Sequence, residues 1–159
     1  MKAKSIPAQH HTATPYLIVE DSRQAIEFYK RGFEAAEVMR LADDSGLTVH
    51  AEIIIGDSPI MIADEIPAWG RYSPKSLHGS AVHINLYVED ADAFVKKACL
   101  AGAQVIIPVA DQFYGDKAGR ISDPFGHIWI ISERKEDVPV ERMRELLTSY
   151  MKDPNNFQQ

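Results

Sequence analysis

Apolar and polar residues alternate along this chain in two matching sets. "TPYLIV" (Thr14 to Val19) and "HINLYV" (His83 to Val88) each read as a half-buried strand. Each runs into Glu-Asp and then into a helical period. In "SRQAIEFYKRGF" the apolar stripe is Ile26, Phe28, Tyr29 and Phe33; in "ADAFVKKACLAG" it is Phe94, Val95, Ala98, Leu100 and Ala101. Asp21 or Ser22 is the candidate N-cap of the first helix, and Asp90 that of the second. Gly32 and Gly102 are the expected helix stops.

The parallel continues. "AAEVMRL" and "AQVIIPV" predict the next strands. "VHAEIIIGDSPIMIADE" reads as strand, turn and strand, turning at Gly56 to Pro59. "GRISDPFGHIWIISE" reads the same way, turning at Asp123 to Gly126, where Asp123 caps the turn. A shift of 69 residues lays Val19-Glu20-Asp21 on Val88-Glu89-Asp90. The chain is thus an α+β fold of tandem βαβββ modules. Within a single domain, 1–159, residues 13–65 make the first module, 66–80 a crossover loop, 81–133 the second module and 134–151 a C-terminal helical extension. One helix covers only one face of a four-stranded sheet. The other faces are expected to form a cupped mixed sheet around a shared cavity. In the extension, Pro139 suits a first helical turn, and Val140, Met143, Leu146, Leu147 and Met151 form a stripe that packs on the body or on a partner subunit.

Composition narrows the function classes. The 159 residues are 45% hydrophobic and 25% charged, with a formal net charge of -6, which disfavours a nucleic-acid partner. No apolar run approaches the ~20 residues of a membrane span. The opening "MKAKSIPAQHHTATP" does not read as a secretory signal, and its adjacent His10 and His11 read as incidental. The tail "MKDPNNFQQ" reads as frayed. Cys99 is the only cysteine, so no intrachain disulfide forms and a cytoplasmic location fits. Nucleophile-elbow and Gly-rich phosphate-loop motifs are absent.

The paired modules, with "YLIVEDSRQAIEFYKRGF" and "ISDPFGHIWII", resemble the glyoxalase/bleomycin-resistance superfamily, the vicinal oxygen chelate proteins. "HAEIIIGDSPIMIADE", "SLHGSAVHINLYVEDAD" and "DQFYGDKAGRISDPFGHIW" are similar to its demethylubiquinone-methyltransferase-like branch. The resemblance implies a ligand cavity, a homodimer and, in many relatives, one divalent metal acting as a Lewis acid. Metal enzymes of the family draw ligands from the first and last strands of each module. His83 falls at the second module's histidine position, and the repeat maps it onto Thr14. Ile130 stands where an inward Glu is usual, with Ala63, or Ile62 after a one-residue slip, as its first-module counterpart. Hydroxyl and alkyl groups are poor ligands beside imidazole and carboxylate, so no metal cofactor is expected. A relocated set of His50, Glu52 and His83 stays open, as does a reading of His50 and Glu52 as a polar pair near the cavity.

Strand alternation turns Val82, Ile84, Leu86 and Val88 toward the helix, and His83, Asn85 and Tyr87 toward the cup. The candidate ligand-binding residues are Tyr16, His50, Glu52, His83, Asn85, Tyr87, Tyr114 and Arg120. Tyr114-Gly115 resembles the family's aromatic-Gly pair beside the ligand, and Arg120 suits either a ligand anion or a surface ion pair. Trp69, Arg71 and Tyr72 suit a lid or a packed seam, and His127 supports its turn. A protein that binds a small molecule without a metal fits these residues. The alternative is an enzyme: a divalent-metal lyase, isomerase or dioxygenase with a non-standard ligand set, or a metal-free enzyme with His83 or Glu52 as general base.

Overall fold

A computed structural model describes residues 5–153. In the first half β1 (Tyr16–Val19) leads into α1 (Ser22–Phe33), followed by β2 (Ala36–Ala42), β3 (Thr48–Ile55) and β4 (Ser58–Asp64). The second half repeats this order with β5 (His83–Tyr87), α2 (Ala91–Ala101), β6 (Gln104–Asp111), β7 (Asp116–Ser122) and β8 (Ile128–Arg134). Helix α3 (Val140–Tyr150) follows. The sheets are ordered β1-β4-β3-β2 and β5-β8-β7-β6. In each, the first-listed pair is parallel and the rest antiparallel. The α+β reading, with tandem βαβββ modules and a C-terminal helix, matches this architecture. Residues 1–4 and 154–159, which carry most of the tail read as frayed, lie outside the described residues.

Local chemistry explains the helix starts. The Asp21 carboxylate accepts from the Gln24 N–H at 3.0 Å, and that of Asp90 from the Ala93 N–H at 2.9 Å. Each satisfies an amide that no helical carbonyl can reach. The last strand of each half adds a second carboxylate. Asp64, at the end of β4, accepts from Ser22 N–H and Thr48 N–H, both at 2.6 Å. Its counterpart Glu133 accepts from Ala91 N–H at 3.2 Å. Gly102 caps α2 at φ 126°, as expected. Gly32 does not stop α1: the helix runs on to Phe33, and Glu34 takes the left-handed cap at φ 56°. Gly32 instead permits close helix contact, since a Cβ there would lie 3.0 Å from Ala101 Cβ and 3.4 Å from Ala98 Cα.

The core lies between the two sheets. Leu17, Ala51, Ile53, Ile60 and Ile62 back onto α1, while Ile121, Trp129 and Ile131 belong to the same buried cluster from the other side. Ile84, Leu86 and Val88 pack against that cluster, as their alternation predicted; Val82 stays exposed. Aromatic rings join the halves: Phe33 sits 4.9 Å from Trp129 and 5.1 Å from Phe94, and Tyr29 sits 5.7 Å from Trp129, in edge-on geometry. Such pairs add about 0.5–1.5 kcal/mol each beyond burial.

The halves therefore meet through their helices and the sheet faces behind them. Among the described residues the halves meet on their helix sides, so the hollow expected between the two open faces does not lie at this seam. A cavity of about 170 Å³ between the halves is lined by the helix-side residues Ile55, Ile60, Ile84, Leu86 and Trp129. Burial of the apolar faces of α1 and α2 and of the sheets behind them in one joint cluster favours this arrangement. The open faces, which carry His50, Glu52, Asn85 and Arg120, cost more to desolvate. Helix α3 buries none of its residues, and Val140, Leu147 and Met151 of its stripe are exposed. Among the described residues no helix is long and apolar enough to cross a membrane.

Candidate functional site

Strand register builds the two open faces. Across the first sheet the residues Tyr16, Met61, Glu52 and Met39 stand side by side. Across the second, Asn85, Ile130, Arg120 and Ile107 occupy the equivalent row. The centre of one face is thus a carboxylate and the centre of the other a guanidinium. The register also corrects one equivalence: the first-half counterpart of Ile130 is Met61, not Ala63 or Ile62. Ala63 pairs with Ile18, and Ile62 points to the helix side with Leu17. A slip of one residue moves a side chain to the opposite face.

On the first face a polar chain runs outward from the sheet. Glu52 is only 8% exposed. Its Oε1 lies 3.1 Å from His50 Nε2, and His50 Nδ1 lies 3.0 Å from the Tyr16 hydroxyl. His10 joins from the other side, with Nε2 3.5 Å from Glu52 Oε1 and its side chain 8% exposed. Neither ring nitrogen of His10 has a hydrogen-bond partner among the described residues. His10 is therefore not incidental; within the polar lead-in, its place depends on a long-range contact that has no periodicity to read. The crossover segment supplies the rim. A 3-10 turn at Pro67–Trp69 and the Ile66–Arg71 bridge bring the Arg71 guanidinium 5.5 Å from the Tyr16 ring centre and 5.4 Å from that of Trp69. Arg71 also donates to the Val49 carbonyl at 3.0 Å. Glu65 pins the following residues by accepting from Ser73 N–H and from Ser76 Oγ–H, and these bonds hold its carboxyl below the usual range.

On the second face a cavity of about 280 Å³ is lined by Ile107, Gln112, Tyr114, Arg120 and Ile130, with Tyr150 from α3 at its edge. Gly119 also lines it, and a Cβ at Gly119, beside Ile131 on the opposite face, would meet Val109 Cγ2 at 2.9 Å and the Ile107 carbonyl at 3.0 Å. Arg120 Nε is buried and has no hydrogen-bond partner among the described residues. Burial, then the charge of Asp116, pushes the Tyr114 phenol above its ordinary value, so the hydroxyl remains a donor. Tyr114 is positioned by the turn at Gly115, whose φ of 94° favours glycine.

The candidate residues thus fall into two groups. Tyr16, His50 and Glu52 come together in the first half. Asn85, Tyr87, Tyr114 and Arg120 belong to the second, where Asn85 accepts from the Ser132 hydroxyl at 2.8 Å and Tyr87 donates to Asp116 at 3.2 Å. His83 shares the second open face but is exposed, on the other sheet from His50 and Glu52. His127 Nε2–H donates to the Ile18 carbonyl at 3.0 Å, and so bridges the halves as well as supporting its turn.

At the positions where the resemblance implied metal ligands, with Met61 as the register counterpart of Ile130, the chain carries Thr14, Met61, His83 and Ile130. Only His83 offers a strong donor. Among the described residues no three His, Cys, Asp or Glu side chains are grouped to hold a metal ion. These residues do not fit the usual divalent site.

Known proteins place this geometry in a family. The model of the Glyoxalase/Bleomycin resistance protein/Dioxygenase superfamily matches residues 8–131. An uncharacterised protein of Mycobacterium bovis is 35% identical over 139 residues, spanning 86% of this chain and 91% of that protein. The X-ray structure of an Arabidopsis thaliana gene product is 30% identical with a TM-score of 0.62, over 77% of this chain and 98% of that one. A putative 3-demethylubiquinone-9 3-methyltransferase from Bacillus cereus shares the fold at 17% identity and TM-score 0.60, over 77% of this chain and 99% of that one. The chain belongs to the Glyoxalase/Bleomycin resistance protein/Dioxygenase superfamily.

Proposed function

We propose that this chain is a small-molecule-binding protein of its family that works without the usual metal, in the demethylubiquinone-methyltransferase-like branch, and that its ligand carries an anionic group beside a flat or apolar body. The observation that supports this reading is Arg120: a guanidinium with a buried, unpartnered Nε at the wall of a cavity flanked by Tyr114 and Tyr150. A buried donor without an acceptor costs about 1–3 kcal/mol, which an incoming carboxylate or phosphonate offsets. The ring faces and the alkyl wall of Ile107 and Ile130 suit the rest of the molecule.

The working unit is a homodimer. Among the described residues each open face is only partly covered by its own chain, and β1 and β5 are sheet edges. Pairing the first open face of one chain with the second of its partner closes a hollow with Glu52 on one wall and Arg120 on the other. The exposed Val140, Leu147 and Met151 give α3 an apolar strip for the same contact. A single cysteine, Cys99, fits a reducing cytoplasmic setting.

Titration calorimetry with a series of aromatic carboxylates and phosphonates tests the binding reading. At least one member is expected to bind the wild-type chain and to lose about tenfold or more in affinity with Arg120→Gln. Binding that is indifferent to Arg120→Gln, or no binding by any member, overturns it. Sedimentation of the same samples reports the dimer directly.

A further inference from the structure

The first open face holds more than binding requires. Glu52 is nearly buried and contacts two imidazoles through one oxygen, Oε1, 3.1 Å from His50 Nε2 and 3.5 Å from His10 Nε2. An ionised carboxylate only accepts, so His50 must carry its hydrogen on Nε2 to bond it. His50 Nδ1 is then a bare lone pair, and it faces the Tyr16 hydroxyl at 3.0 Å. The competing acceptor for that hydroxyl is the Val49 carbonyl, at 3.4 Å, which already takes a hydrogen bond from Arg71 at 3.0 Å. The Tyr16 proton therefore points at His50, leaving the phenol oxygen's lone pairs turned outward. Tyr16 is 39% exposed, beneath the Arg71 guanidinium and the exposed Trp69.

We propose that Tyr16, His50 and Glu52 form a metal-free acid–base site, in which the Tyr16 hydroxyl exchanges a proton with a ligand bearing an ionisable O–H or a C–H next to a carbonyl. The ligand's proton passes to the Tyr16 oxygen as the Tyr16 proton passes to His50 Nδ1. The ligand is left as the anion, and the imidazolium on His50 is balanced by the carboxylate of Glu52. Return of the proton to the same atom gives exchange, and return to another atom gives isomerisation. Arg71, over the Tyr16 ring, lowers the cost of negative charge developing on the phenol oxygen. Tyr16 is the catalytic residue here. His50 is its base, and Glu52 is the positioning residue that fixes the imidazole. The three-member logic is that of a nucleophile, its base and the group that orients the base, applied to a phenol.

Two measurements on the full chain test this without a ligand, so their failure leaves the Arg120 reading standing, and failure of that reading leaves this one standing. An aryl sulfonyl fluoride, which reacts with tyrosine oxygens whose proton a neighbouring base removes, is the first probe. Tyr16 is expected to react about tenfold or more faster than Tyr72, although Tyr72 is the more exposed at 46%. His50→Phe, which keeps a ring against Tyr16, abolishes that advantage, and Glu52→Gln reduces it. Equal labelling of Tyr16 and Tyr72, or labelling unchanged by His50→Phe, overturns the proposal. Long-range proton–nitrogen NMR on the unaltered chain is the second: His50 is expected as the Nε2–H tautomer, and an Nδ1–H tautomer overturns it.

Discussion

The Tyr29 hydroxyl, on α1 of the first half, donates to Asp123 Oδ2 in the second half at 2.5 Å, and both residues are buried. Trp129 Nε1–H donates to the same oxygen at 2.9 Å, and the Phe125 and His127 amides donate to Oδ1, each at 2.9 Å. Asp123 thus does more than close its turn. Its carboxylate is the polar centre of the seam between the halves, with a donor on every side. Burial, then the Asp123 charge, pushes the Tyr29 phenol well above its ordinary value, so it remains a donor throughout the physiological range.

Tyr29→Phe removes one of four donors and is expected to cost about 1.5–3 kcal/mol, the range for hydrogen bonds to charged groups. Asp123→Ala strands all four donors and is expected to cost more, with a lower urea midpoint. Equal midpoints for the two variants would show that the carboxylate does not organise the seam.

His127 supplies the pH dependence of the same seam. Burial lowers its pKa below the usual value, more than the nearby Asp123 charge raises it. With the folded pKa depressed, the unfolded chain binds the proton first, so stability falls as pH drops through about 6.5 and below. His127→Gln is expected to flatten the melting temperature between about pH 7.5 and 5.5. An unchanged slope in that variant would place the titration elsewhere.

Gly32 sets the distance between α1 and α2. Gly32→Val places methyl groups where only 3.0 Å separates the new Cβ from Ala101 Cβ and 3.4 Å from Ala98 Cα. The helices must separate, at a cost of about 1–3 kcal/mol. Ala101→Gly in the same chain relieves the nearer contact, and partial recovery of the melting temperature is the expected result.

Asp64→Ala leaves the buried Ser22 and Thr48 amides without an acceptor, at roughly 1–3 kcal/mol each. Asp21→Ala, at a half-buried cap, is expected to cost about 1 kcal/mol. Chemical denaturation of both variants checks the order, which follows from burial and not from helix position.

Sequence alone determined the repeat, the main strand faces and the N-caps of α1 and α2, because each is local. Period-two alternation decides that Ile84 and Leu86 face one way and Asn85 and Tyr87 the other, and an Asp before a helical run caps it in any tertiary setting. Tertiary structure decided how the halves meet. Amphipathicity marks Tyr29 and Phe33 as buried without saying whether against their own sheet or Trp129 of the other, and the second contact turns the open faces outward. It also decided which polar residues share a site. His10 reaches Glu52 across 42 residues of chain, and Met61 rather than Ala63 stands beside Tyr16, because long-range contact and strand register depend on the whole packed sheet.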